Sequence, residues 1–246
     1  RDSGVIVAGS LTPQNTQEHY ETVVQAGADL FVIRGASVSA EHISTSHEPL
    51  NLKKFIYELD VPVMVGGVAG YTQAKHLMRT GAAGVLVGFG GGSAMTTRKG
   101  LGISAPMATA IADVAAARSD YLDESGGRYV HVIADGGLSR SGDLVKALAL
   151  GADAVMIGAP LARASEAPGQ GWYWGNEAHS VDFPRGVRTP LGVVGTLEEV
   201  LYGPSHHVDG TSNIVGALKR AMATCGYLDL KKFQKAEMTL VPEYRG

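Results

Sequence analysis

Six short β-branched runs, each followed by a stretch with helical spacing, recur along the 246 residues and restrict what this chain can fold into. The runs are Val5–Val7, Leu30–Ile33, Val61–Val65, Gly84–Val87, Tyr129–Ile133 and Ala154–Ile157. Their hydrophobicity is nearly continuous rather than alternating, the pattern of parallel strands covered on both faces. Between them lie the amphipathic stretches Thr16–Ala26, Thr72–Thr80, Pro106–Arg118 and Ser141–Leu150. Three of these run into a Gly-Ala pair, at Gly27, Gly81 and Gly151, where glycine suits a left-handed helix end. The order strand, loop, helix, strand describes βα units on a parallel sheet.

Six units fit either an open doubly wound sheet or part of a (β/α)8 TIM barrel. The glycine-rich loops are spread over several strand ends rather than concentrated after the first, which favours the barrel. A closed barrel has eight units. The chain opens at Arg1 without a methionine, so one or two N-terminal βα units are expected to be missing from it. No composition shift demands a second domain, and residues 1–246 are read as a single barrel domain. Residues 165–190 are rich in Gly, Pro and Trp without a sustained period, which suggests a lid or a disordered loop. Helical spacing returns at Leu197–Tyr202 and Asn213–Cys225, within a C-terminal helical segment spanning 197–234.

The charge balance narrows the partners. A formal net charge of -3 gives no basic surplus, so neither nucleic acid nor an anionic membrane is the expected partner. No apolar run approaches the ~18 residues of a membrane span. The lone Cys225 cannot form an intrachain disulfide and, with no secretory pattern, points to the cytoplasm; its place in a helix suggests core. His42, His47, His206 and His207 lack metal-ligand spacing, and no metal site is expected.

Three segments carry chemistry. Gly88–Arg98 reads GFGGGSAMTTR after a strand, and successive side-chain-free amides there can form an anion-binding nest, with Ser93 adding a hydroxyl. Its plain alternative is a flexible glycine turn. Asp135, in Ala134-Asp135-Gly136-Gly137, closes the next strand, where a carboxylate can accept both hydroxyls of a ribose. Its alternative is a turn-forming Asp-Gly. Gly158-Ala159-Pro160 follows the last strand, in a region where barrels often bind phosphate. Loops on consecutive strands could converge on one phosphate-sized location. Trp172 and Trp174 could stack on a purine or pack the lid.

These segments, with Ser141-Gly142-Asp143, Lys146–Ala149 and Glu166–Gly169, resemble the barrel of IMP dehydrogenase and GMP reductase. The resemblance runs from Val5 to Tyr227 and is strongest over Gly84–Gly169. Ser39–His42 and Glu48–Lys53 are most similar to the paralogues that lack the inserted regulatory domain pair. The resemblance implies that Gly92 and Ser93 hold a 5′-phosphate from one side and Gly158 and Ala159 from the other. The family usually has Ser where Ala159 stands. It further implies that Asp135 binds the ribose hydroxyls, that the Gly137 amide reaches the phosphate, and that Tyr173 and Gly175 contact phosphate and base. A homo-oligomer, tetrameric or octameric, is implied in the same way, as is NAD(P) as a possible cofactor.

The departures from the family pattern are selective. Met95 occupies the place of the nucleophilic Cys, and a thioether has no proton to lose. Thr96 and Thr97 are weak substitutes without a base beside them, and hydrogen bonding that closes the loop is the plainer role. Arg34 stands where the dehydrogenases carry an Asp that helps hold NAD, and Gly67 replaces the usual Asn at a position that the resemblance implies is nucleotide-binding. The family's Arg-Tyr pair on the flap has no counterpart between Gly169 and Pro204. The expectation is therefore a barrel that binds a purine nucleoside 5′-monophosphate, in a regulatory or scaffolding role. The alternatives are an NAD(P)-dependent oxidoreductase working without a covalent intermediate, or a barrel for another phosphorylated ligand such as a flavin.

Overall fold

The structure is a computed structural model that describes residues 3–35, 48–95, 97–174 and 188–239. Its frame is a six-stranded parallel sheet of β1 (Ala8–Leu11), β2 (Leu30–Arg34), β3 (Val63–Val68), β4 (Gly84–Val87), β5 (His131–Asp135) and β6 (Ala154–Met156). The strands lie in strictly sequential order. A doubly wound sheet reverses its order at a switch point, and this one does not, so it is the wall of a barrel. The barrel is partial: among the described residues β1 and β6 are not paired with each other.

Helices α1 (Pro13–Gln25), α2 (Leu52–Glu58), α3 (Tyr71–Arg79), α4 (Met107–Glu124) and α5 (Ser141–Ala149) fill the crossovers. Local chemistry starts two of them. Thr12 and Asn51 each accept a hydrogen bond from a backbone amide of the first turn, and Pro13 occupies the first turn of α1. After β6 come α6 (Ala159–Ala162), an antiparallel hairpin of β7 (Trp172–Trp174) and β8 (Arg188–Pro190), then α7 (Leu197–Tyr202), α8 (Ile214–Thr224) and α9 (Leu230–Phe233).

Alternation along the strands divides the apolar residues between two layers. Phe31, Ile33, Val63, Val65, Val85, Val87, Val132 and Ala134 join the helices' Leu77, Met78, Ile111, Val114 and Leu144 in the main core. Val32, Leu86 and Ile133, with Met64 against them, form a small second cluster on the other face, inside the barrel.

The elements depart from expectation at three places. The first strand begins at Ala8, not Val5: Val5 and Ile6 are exposed, and pairing with β2 starts at the Ala8–Leu30 register. Helix α4 continues past Arg118 to Glu124. Cys225 caps the end of α8 and is exposed rather than core, because the helix turns its buried residue Ile214 inward at the opposite end. Ser39–His42, His47, Thr96 and Gly175 lie outside the described residues.

Candidate functional site

Two strands deliver charged residues to the inside of the barrel mouth. Arg34 lies two positions beyond the inward-facing Val32, and Asp135 two beyond Ile133, so the two-residue period turns both inward. Gly66, the register partner of Arg34 on the next strand, has no side chain to block the way. Arg34 reaches Asp135 with both edges of its fork: Nε donates to Oδ2 at 2.8 Å and Nη2 to Oδ1 at 3.2 Å. The carboxylate side chain is 6 % exposed and the guanidinium side chain 29 %. The charge reversal at Arg34 is legible in the sequence, but its partner is not, because 101 positions separate the two.

Glycines bring the next loops together by backbone contact. Gly88 has φ +116°, and a Cβ there would meet the Asp135 carbonyl oxygen at 2.4 Å. A Cβ on Gly91 would lie 3.4 Å from the Gly137 amide nitrogen. The loop after β4 therefore lies against the loop after β5, main chain on main chain. Gly92 and Met95 share a turn, in which the Met95 amide donates to the Gly92 carbonyl at 3.0 Å. The half-buried Met95 side chain folds back on Gly92, its Cγ 2.8 Å from where a Cβ would stand. Ser93 is exposed and Ala94 buried. Thr97 is buried at the start of a short π-helical turn, Thr97–Leu101, and its carbonyl accepts from the Ile103 amide.

The third loop joins through the hairpin. The Tyr173 hydroxyl lies 2.6 Å from where a Gly158 side chain would begin, so Tyr173 and Gly158 are in contact. Ala159 is buried in the first turn of α6. On β8, the Thr189 hydroxyl donates to the Ser93 carbonyl at 3.4 Å, which ties the hairpin to the glycine loop. The Arg188 guanidinium stacks 4.1 Å from the centroid of Trp172. The segment read as a lid thus holds a β-hairpin that touches both the Ser93 loop and the Gly158 loop. Thr189 was not anticipated, and a threonine in a polar stretch carries no signal that would single it out.

Most of the expected site residues thus come to one rim: Gly92, Ser93, Met95, Asp135, Gly137, Gly158, Ala159 and Tyr173 follow or end the neighbouring strands β4, β5 and β6 or join them through the hairpin. Gly67 sits near the carboxyl end of β3, the strand beside β4. It is buried within β3, and its one amide donor is spent on the Gly35 carbonyl at 3.1 Å. Among the described residues no group of three or more His, Cys, Asp or Glu is placed to hold a metal ion, and no helix is long and apolar enough to cross a membrane.

Comparison with known proteins agrees with this architecture. The family model for an IMP dehydrogenase / GMP reductase domain matches residues 2–243. An uncharacterized oxidoreductase of Mycolicibacterium smegmatis is 56% identical over 243 residues, covering 98% of this chain and 65% of that protein. An inosine-5'-monophosphate dehydrogenase of Thermoplasma acidophilum is 40% identical over 171 residues, 69% of this chain and 33% of its own length. The crystal structure of an IMP dehydrogenase/GMP reductase-like protein from Corynebacterium glutamicum superposes with a TM-score of 0.86 at 57% identity, covering 96% of this chain and 62% of that one. The chain thus spans about two thirds or less of the relatives it matches.

Proposed function

This chain belongs to the IMP dehydrogenase/GMP reductase family, and from that premise we propose that it binds a purine nucleoside 5′-monophosphate, IMP- or GMP-like, at the barrel mouth. The observation that carries the reading is the main-chain contact of the Gly88–Gly92 loop with Gly136 and Gly137. Amides packed this closely, without side chains between them, make a concave donor surface suited to an anion. Ser93 adds an exposed hydroxyl there, and the loop of Gly158 and Ala159 supplies the far side, next to Tyr173.

Among the described residues the family's covalent chemistry has no thiol at its expected place. Met95 occupies the thiol's position, and neither Thr97, buried in its turn, nor the exposed Cys225 at the end of α8 replaces it. The residues present also do not fit NAD(P) in the way the resemblance implies. The position expected to offer a carboxylate at the end of β2 offers the Arg34 guanidinium, already bonded to Asp135. The role that follows is nucleotide sensing or scaffolding in purine metabolism, by a cytoplasmic homo-oligomer (a tetramer or octamer).

Calorimetric titration with IMP and GMP tests the reading. Ser93→Ala removes one hydrogen bond to a charged phosphate, worth about 1.5–3 kcal/mol, so affinity should fall about tenfold or more. Unchanged affinity in that variant would remove the site assignment. The names of the relatives, uncharacterized oxidoreductases, favour one rival reading, an oxidoreductase acting without a covalent intermediate. Sustained turnover of IMP with NAD, or of GMP with NADPH, would establish the rival and displace the sensing role.

A further inference from the structure

We infer that Arg34 is a specificity-determining residue: it occupies the fork of Asp135, so that a vicinal diol reaches this carboxylate only by displacing the guanidinium. The inference rests on the nucleotide reading above and concerns which part of the nucleotide is recognised.

The argument is one of shared geometry. Arg34 places one donor on each carboxylate oxygen, Nε on Oδ2 at 2.8 Å and Nη2 on Oδ1 at 3.2 Å. A ribose gripped by a single carboxylate presents its 2′- and 3′-hydroxyls in the same arrangement, two side-by-side donors on two oxygens. Both partners need the same pair of inward lone pairs. Those left over belong to a side chain that is only 6 % exposed. The group that an incoming ligand meets is the more exposed Arg34.

The energetic ranking favours the incumbent. Charge-assisted bidentate bonds are roughly twice as strong as neutral ones, and the hydroxyls of a sugar are neutral. Arg34 is also held by construction: β2 aims it inward and Gly66 leaves its path open. The phosphate loops can therefore hold a nucleotide while its sugar hydroxyls contribute little. The expected consequence is a purine-monophosphate site that scarcely distinguishes ribose from 2′-deoxyribose.

The experiment is a calorimetric comparison of IMP with 2′-deoxyinosine 5′-monophosphate, on the protein as it stands and on Arg34→Met. Methionine keeps an unbranched apolar stem and removes the fork. The unaltered chain should bind the two probes within about threefold of each other. Arg34→Met should prefer IMP by about tenfold or more, the worth of hydroxyl bonds to a freed carboxylate. The preference should vanish again when Asp135→Ala is added. Arg34→Lys, which cannot fill both oxygens at once, serves if Arg34→Met does not fold, and should show an intermediate preference.

A tenfold preference for IMP in the unaltered chain would overturn the inference, because the carboxylate would then be open with Arg34 in place. Equal loss of both probes in Arg34→Met would overturn it too, and would make Arg34 a direct contact instead. Either result leaves the nucleotide reading standing. Absence of binding by either probe, to any of the variants, would remove the nucleotide reading and this inference with it.

Discussion

At the scale of single residues, the mouth of the barrel is built by omission. Gly88 combines φ +116° with an Asp135 carbonyl oxygen 2.4 Å from any added Cβ. Gly88→Ala therefore meets both a disfavoured backbone and a main-chain collision, a cost of at least about 1–3 kcal/mol. We expect it to lower the melting temperature and to weaken nucleotide binding together, read by calorimetry and titration on one preparation. Gly142→Ala is the control: a Cβ there meets nothing within 4 Å. It should behave like the unaltered chain. Gly88, Ser93 and Asp135 were legible in the sequence because glycine runs and a carboxylate after β-branched runs are local signals. The Arg34–Asp135 bond was not, since it depends on which strands face each other across the mouth. Gly67 is legible only in part. Its place in the family pattern is visible, but the use of its amide by Gly35 is a fact of strand pairing.

At the scale of elements, the opposite rim is held by one carboxylate. Asp153, just ahead of β6, accepts from Arg118 of α4 at 2.7 Å, from Tyr129 ahead of β5 at 2.5 Å, from Lys231 of α9 at 2.6 Å and from the Val132 amide at 2.9 Å. Burial alone would push this carboxyl upward. The bonds from Lys231, Tyr129 and Val132 and the charge of Arg118 outweigh that and hold it at about 2. The folded value lies below the roughly 3.9 of an unfolded Asp. Its stabilisation is accordingly present in full above about pH 4 and is lost as pH falls towards 2. Asp153→Ala leaves Arg118, only 14 % exposed, without this carboxylate, and breaking a buried pair costs about 3–5 kcal/mol. The melting temperature should drop by on the order of 10 °C at pH 7, and by progressively less below pH 4. A drop of equal size at every pH would refute the assignment of that acid sensitivity to Asp153.

Elements bounded by strong local chemistry were read from the sequence closely. Gly84–Val87 and Leu197–Tyr202 match residue for residue. In the second, Thr196 and Glu199 form a reciprocal cap that sets the start. The first strand was read three residues early, because Val5 and Ile6 have strand composition but, among the described residues, no strand beside them to pair with. The β7–β8 hairpin was read as irregular. Its short strands are made of Trp-Tyr-Trp and Arg-Thr-Pro, and what joins them is antiparallel pairing with each other, Tyr173 opposite Thr189, rather than any period of their own.

At the scale of the whole molecule, one apolar core runs from β2 through β5 and out to α7 and α8, with Phe31, Leu77, Val132, Val200 and Ile214 in a single cluster. A continuous core of this kind supports the proposal that residues 1–246 form one cooperative unit. Differential scanning calorimetry should record a single transition, with calorimetric and van't Hoff enthalpies equal. Two resolved transitions would divide the chain.

The placement of Asp153 has a further outcome for how this barrel can change. The ion pairs that resist melting sit at the floor, at the amino ends of β5 and β6, while the glycine turns and the Arg34 fork sit at the carboxyl ends of the strands. Alterations of the Ser93 turn or of the β7 and β8 side chains therefore draw little on the reserve that keeps the chain folded. A lineage, or an engineer, could exchange side chains at the opening, including position 95, without first repairing the foundation.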